Sequence, residues 1–153
     1  MHGEMMYIVP SRQRVQKVGE LVESWDETRT LAYLLIAIDD DDPALEEYMG
    51  ALHVLRRTRP WLRYGIASRK RMIGTLNHWA VVAAHRYDVI GFMGDDHRPR
   101  THGWDARVLE TARRHVTYCN DLLQGPNLPT QVALPSRYVT AMGYMAPREL
   151  IHL

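Results

Sequence analysis

The sequence predicts an α/β protein, a three-layer α/β/α sandwich around a mainly parallel sheet, on three observations. Short continuous apolar runs recur along the chain: MMYIV at Met5 to Val9, LAYLLIAI at Leu31 to Ile38 and VIGFM at Val89 to Met93. Runs without alternation are what strands covered on both faces look like. Between the runs lie segments whose apolar residues recur at helical spacing, so strands and helices alternate. The second and third runs also end in acidic or metal-ligating residues, and the carboxyl edge of parallel strands is where such sheets hold ligands.

With 153 residues, 46% hydrophobic and 24% charged, the chain suits one folded domain over residues 1–153, large enough to bury a core. Its net charge of +1 argues against a nucleic-acid protein built on bulk electrostatics. Cys119 is the single cysteine, which excludes an internal disulfide and a Cys-rich zinc site and fits a reducing compartment. No apolar run reaches the length of a membrane span, and His2, Gly3 and Glu4 interrupt any signal-peptide pattern. The expected location is the cytoplasm.

Met5 to Val9 reads as the first strand, stopped by Pro10. Pro10, Ser11, Arg12, Gln13 and Arg14 form a polar loop, with Ser11 placed to cap a helix carrying Val15, Val18, Leu21, Val22 and Trp25. Leu31 to Ile38 is the second strand, and Asp39 to Asp42 follow it before Pro43. Helix chemistry accounts for Asp42 as cap and Pro43 at the first helical position. It leaves Asp39 and Asp40 at the strand's carboxyl edge. The next helix, Ala44 to Leu55, has its stripe at Leu45, Tyr48, Met49, Leu52 and Leu55, and Thr58 to Pro60 breaks it.

A third strand is expected at Leu62 to Ala67, then a helix from Met72 to Ala84, apolar at Met72, Ile73, Leu76, Trp79, Ala80 and Ala83. Arg69, Lys70 and Arg71 at its start oppose the helix dipole, at a cost of about a few tenths of a kcal/mol unless an anion lies nearby. A solvated basic turn is the plainer alternative. After Val89 to Met93, Trp104 to Arg114 is an amphipathic helix with Trp104, Val108, Leu109 and Ala112 inward. Val116 to Leu123 is the next strand expected, followed by a loop at Gly125, Pro126, Asn127 and Pro129. Gln131 to Pro135 and Tyr138 to Met145 are short segments of open type. No repeat, low-complexity tract or linker marks a second domain.

The whole is organised around VIGFMGDDHRP, Val89 to Pro99, where a strand runs straight into Asp95, Asp96 and His97. Adjacent carboxylates repel each other unless a cation or donors stand between them, so this cluster fits a divalent ion. A solvated turn is again the plainer alternative, because Asp and Gly are ordinary turn residues.

In order along the chain, IVPSR closes the first strand, IAIDD the second, Arg71 and Asn77 lie six residues apart in RMIGTLN, and FMGDDH closes the strand after it. The ordered set resembles the nucleotide-sugar-binding half of an inverting, family 2-like glycosyltransferase of the glycosyltransferase A fold, over roughly residues 5 to 125. The resemblance implies a nucleotide-diphospho-sugar transferase type of sheet. It implies a nucleotide-diphosphate sugar as donor, an unknown acceptor, and Mn or Mg bridging the pyrophosphate leaving group. Asp95 would then face ribose and metal, and Asp96 or His97 the metal. An Asp-x-His pattern also occurs among such enzymes, so Asp95 with His97, or Asp95 with Asp96, is the ligand pair, and an imidazole favours Mn. Arg71 and Asn77 would serve the nucleotide or its phosphates, with Pro10, Ser11 and Arg12 in the loop beside it. Asp39 or Asp40 would accept the base N–H, which suits uracil or thymine and leaves guanine open.

An inverting transferase needs a carboxylate to deprotonate its acceptor, and in the family this lies in an acceptor half that the chain is expected to lack for the most part. Asp121 is the candidate base within the sequence, with capping of the Gly-Pro loop as its preferred plain role. His152 is too near the end of the sequence to assign. A minimal transferase, a homo-oligomer or a partner chain supplying the base would each complete the site. His53, His78, His85, His102 and His115 are scattered without ligand spacing, and Trp25, Trp79 and Trp104 fall on apolar helix faces, with Trp61 less certain. Two rivals stand beside the transferase. A sugar nucleotidyltransferase would carry a glycine-rich loop after the first strand, and PSRQRV has no glycine. A non-catalytic nucleotide-sugar-binding or assembly domain would keep the fold without the acceptor half.

Overall fold

The computed structural model describes residues 3–150, so His2 and His152 lie outside the described residues. Along the chain run β1 (Gly3–Ser11), α1 (Val15–Glu27), β2 (Tyr33–Asp39), α2 (Leu45–Arg56) and β3 (Leu62–Ala67). They are followed by α3 (Arg71–Ala83), β4 (Tyr87–Phe92), α4 (Trp104–Ala112), β5 (Val132–Pro135) and α5 (Ser136–Met142). The strands form one sheet in the order β3-β2-β1-β4-β5, parallel except for β5, which runs antiparallel to β4. The mainly parallel sheet expected from the sequence is the one observed.

Both faces of that sheet are covered, which is why its strands read as unbroken apolar runs. Met5, Tyr7 and Val9 of β1 face Val18, Leu21, Val22 and Trp25 of α1, Tyr48 and Leu52 of α2, and Trp104, Val108 and Ala112 of α4. Met6 and Ile8 face the other way, toward Leu76, Ala80 and Ala83 of α3 and Val139 of α5. Trp25 is fully buried at the centre of the first layer, edge-on to Tyr7 and Trp104 at 6.0 and 5.4 Å, with its indole N–H donating to the Ala32 carbonyl at 2.9 Å. Trp61 packs on the same layer and Trp79 on the opposite one, both half-buried.

The structure corrects several expectations. β2 starts at Tyr33, not Leu31, because the Leu31 and Ala32 amides are taken by one Asp105 carboxylate oxygen at 2.7 and 3.0 Å, leaving Leu31 exposed. Val116 to Leu123 is not a strand. Only Thr117 pairs with Ala133, and beyond it Asn120 and Asp121 accept backbone N–H groups from residues 122 to 125, so local turn chemistry displaces the ladder. Ser11 ends β1 instead of capping α1, whose N-cap is Arg14 with no side-chain cap. Asp42 accepts the Ala44 amide at 2.8 Å one turn ahead of α2 and does not cap the helix itself. Met49 and Met72, placed on the apolar stripes of their helices, are both exposed.

Asn77, expected to serve the nucleotide, is committed elsewhere. Its carbonyl accepts the Met145 and Ala146 amides, each at 2.9 Å, and its NH2 donates to the Ala146 carbonyl at 2.9 Å. It therefore ties the segment after α5 to α3. Replacing it with Ala strands three partly buried backbone groups, so Asn77→Ala should destabilise the fold by about 1–3 kcal/mol in urea titration while leaving ligand affinity unchanged.

β1 is the central strand. The chain leaves it toward β2 on one side and, after β3, crosses to β4 on the other. The crevice between the carboxyl ends of β1 and β4 is thus the topological switch point of the sheet, where open α/β sheets bind ligands.

Candidate functional site

Residues 12–14 connect β1 to α1 across this crevice, and carboxylates from both sides fix them. Arg12 donates to Asp39 at 3.0 Å and to Asp41 at 2.6 Å, and the Gln13 amide donates to Asp42 at 3.0 Å. Gln13 takes a left-handed backbone, φ 54°, so the loop turns sharply at that residue. From the β4 side, Asp95 is buried and receives the Ser11 hydroxyl at 2.8 Å and the Arg14 guanidinium at 3.0 Å. Tyr48 of α2 completes the network, its hydroxyl 2.6 Å from Ser11 Oγ and accepting the Arg14 amide at 2.8 Å. These hydrogen bonds raise the pKa of both guanidiniums, through Asp41 first for Arg12 and through Asp95 first for Arg14.

Beyond Asp95 the chain makes a tight turn over Gly94. The His97 amide donates to the Gly94 carbonyl at 3.1 Å, and the Gly94 amide donates back to His97 Nδ1 at 3.0 Å. Nδ1 is therefore the unprotonated ring nitrogen, with the proton on Nε2. Asp96 Oδ1 lies 3.5 Å from that nitrogen, on a side chain 64% exposed. A Cβ on residue 94 would fall 2.6 Å from Asp96 Oδ1 and 2.9 Å from His97 Nδ1, so the two acceptors fold over the space that glycine leaves open. The one lone pair of Nδ1 is taken by the Gly94 amide, so the Asp96 carboxylate is the acceptor left free on this turn to meet a cation. Among the described residues no group of three or more His, Cys, Asp or Glu side chains is assembled to hold a metal. One free carboxylate fits an ion that takes its remaining ligands from water and substrate phosphates, as Mg sites do.

One open cavity adjoins the loop between β1 and α1, and a second adjoins the turn. One, of about 590 Å³, is lined by Gln13, Arg14, Lys17, Pro43 and Glu47; the other, of about 350 Å³, by Lys17, Glu20, Glu23, Asp96, Arg98 and Arg100. Cations therefore line both, beside the carboxylates, a combination able to hold an anionic ligand together with a metal.

Of the residues singled out from sequence, Ser11, Arg12, Asp39, Asp95, Asp96 and His97 come together here, and Pro10 stands on β1 in register with Ala37. Asp95, an expected metal ligand, has both oxygens engaged by Ser11 and Arg14. Asp40 is exposed, its amide bonded to the Ala67 carbonyl at 2.8 Å, and Arg71 opens α3 on the same sheet edge, exposed with φ 58°. No described residue bonds to the Arg71 side chain. Arg14, Tyr48, Gly94 and Arg98 were missed. Nothing local marks Tyr48, which reads as a core residue of its helix, but a glycine directly before DDH was a legible sign of crowding.

Asp121, the candidate base, takes the turn role that the sequence also allowed. Its Oδ1 accepts the amides of Leu123, Gln124 and Gly125 at 2.9, 2.7 and 3.2 Å, and its Oδ2 accepts the Thr130 hydroxyl at 2.9 Å. These donors, the Leu123 amide first, hold its pKa down from 3.8 to about 2, so it is a weak base. A folded-state value below the ordinary one means that its contribution to loop order is complete above about pH 4 and lost as pH falls toward 2. Amide exchange at Leu123 to Gly125, corrected for intrinsic rate, should accelerate over that window, and Asp121→Asn should remove the transition.

No protein-family model matches the sequence, and no curated protein matches it. Solved structures match across nearly the whole chain. The mannosyltransferase PcManGT from Pyrobaculum calidifontis, in complex with GDP-Man and Mn2+, superposes with TM-score 0.71 at 12% identity, over 95% of this chain and 48% of that one. S. aureus TarS 1-349 in complex with UDP gives TM-score 0.60 at 12% identity, over 97% of this chain and 52% of that one. The 4-diphosphocytidyl-2C-methyl-D-erythritol synthase of Anaerococcus prevotii gives 0.59 at 9% identity, over 92% and 75%. The chain thus spans about half the length of the first two. Its fold is that of the nucleotide-diphospho-sugar transferases, the glycosyltransferase A type.

Proposed function

We propose that this chain is the nucleotide-sugar-binding domain of a metal-dependent glycosyltransferase, a single domain over its 153 residues acting in the cytoplasm on a nucleotide-diphosphate sugar and an acceptor. The observation that carries the reading is the turn at the switch point, where Asp96 stands free in a cavity shared with Lys17, next to the Arg14–Asp95 pair. On this reading Asp96, not Asp95, holds Mn or Mg, and His97 would join it only by releasing the Gly94 amide from Nδ1. Asp95 is a positioning residue, its oxygens satisfied by Ser11 and Arg14. When bound, the metal supplies charge neutralisation at the pyrophosphate leaving group. Arg14, 56% exposed, and Lys17 add cationic donors for the phosphates, and Arg71 stands ready at the α3 start. Asp40 is the free acceptor for the base N–H, since Arg12 occupies Asp39.

Among the described residues no helix is long and apolar enough to cross a membrane. The inverting reaction requires a base that Asp121 is poorly suited to be, which gives weight to a second reading, a domain that binds the nucleotide sugar while another chain, or a second copy, completes the acceptor side. Calorimetry with UDP and GDP, with and without Mn, combined with a sugar-release assay, separates the two. A transferase binds in a metal-dependent way and releases sugar; a binding domain shows the first without the second. Absence of metal-dependent binding to any nucleoside diphosphate would sink both readings.

A further inference from the structure

Asp96 and His97 sit on a surface turn, and a surface turn does not hold a free carboxylate in one place unless something fixes it. Arg98 stands directly after them, with a side chain only 17% exposed. Its Nη1 donates to the Asp95 carbonyl at 2.7 Å and to the His97 carbonyl at 2.6 Å. Its Nη2 donates to the Lys17 carbonyl at 3.1 Å and to Glu20 Oε2 at 2.7 Å, both on α1. One planar guanidinium thus bonds the carbonyls on either side of Asp96 and joins them to the rigid helix that lines both cavities. Glu20 answers with a lowered pKa, caused first by this hydrogen bond.

We propose that Arg98 is the positioning residue of the cation site: it latches the Asp95–His97 turn to α1, keeps the Gly94 amide on His97 Nδ1, and thereby holds the free Asp96 carboxylate in place. This deepens the proposed function and rests on it for the metal, although the latch itself is visible without one. The geometry requires arginine. The two nitrogens of a fixed fork serve the turn and the helix at the same time, whereas a lysine ammonium is a single point that cannot span both. Neutral replacement leaves two turn carbonyls without their donor and frees the peptide that carries Asp96.

The test uses Arg98→Lys, which keeps the charge, with two readouts. The first needs no metal: exchange of the Gly94 amide and the ring-nitrogen shifts of His97. In the wild type the Gly94 amide should be protected and Nδ1 unprotonated. In the variant that protection should fall by roughly tenfold or more, as a locally opened turn predicts, while the global melting temperature moves little. The second is affinity for Mn, read by its paramagnetic broadening of turn resonances, which should weaken by roughly tenfold or more. If Gly94 and His97 behave identically in the two proteins, the latch is overturned. A variant with a loosened turn but full Mn affinity also overturns it as a determinant of the site. Should the wild type bind no Mn while the turn still loosens in the variant, the latch stands and the metal reading falls.

Discussion

Asp96→Ala should abolish metal-dependent binding of a nucleoside diphosphate and leave the unliganded protein as stable as before. The side chain is 64% exposed, and its one close partner is His97 Nδ1 at 3.5 Å, so truncation leaves no buried group unsatisfied. Exposed substitutions of this sort change stability by about 0.5 kcal/mol or less. The effect on ligand linkage is much larger. At a hundredfold excess over the dissociation constant, binding stabilises the wild type by about 2.7 kcal/mol, which for a domain of this size corresponds to roughly 5–10 °C in melting temperature. The variant should gain none of it. Gly94→Ala is the companion test, because its Cβ would fall between the two acceptors and should weaken metal binding without removing either of them. Thermal shift with Mn and UDP or GDP measures both. An Asp96→Ala protein that melts early yet still gains stability from Mn and nucleotide would return Asp96 to the role of a turn residue.

Trp25→Ala should cost about 3–5 kcal/mol, the largest effect on the fold of any substitution proposed here. Trp25 is fully buried, and it contacts Tyr7 of the central strand, Trp104 of α4 and Trp61 ahead of β3. Removing the indole opens a cavity between elements that are far apart in sequence, and it frees the Ala32 carbonyl where β2 begins. Urea unfolding followed by circular dichroism gives the number. A loss below about 1 kcal/mol would mean that the layer repacks around the gap, and that the aromatic cluster is not what joins α1 to α4.

The strands and helices were legible because both faces of the sheet are covered, a condition that leaves unbroken apolar runs in the sequence. Leu62 to Ala67 was found to the residue, and Val89 to Met93 to within two. Val116 to Leu123 misled because an apolar composition is shared by strands and by exposed loops; Leu122 and Leu123 are both exposed, and Asp121 sets the turn. The same limit applied at the site. Periodicity placed Tyr48 in the core and Asn77 on a helix, but not what their polar ends would touch.

By itself the sequence determined the alternation of elements and the kind of residue at each strand's end. Those depend on local spacing and on chemistry carried by adjacent residues. The tertiary structure alone decided which carboxylates are free. Ser11 meets Tyr48 across 37 positions and Asp95 across 84, and Arg98 reaches Glu20 across 78. Asp95 and Arg98 reach these partners only because the crossover from β3 to β4 lays the ends of β1 and β4 side by side. Asp95 and Asp96 are neighbours of the same type in the chain, yet one is buried under a hydroxyl and a guanidinium and the other stands open beside His97. Neighbouring side chains point in different directions, and the surroundings each one meets belong to the fold and not to the residue.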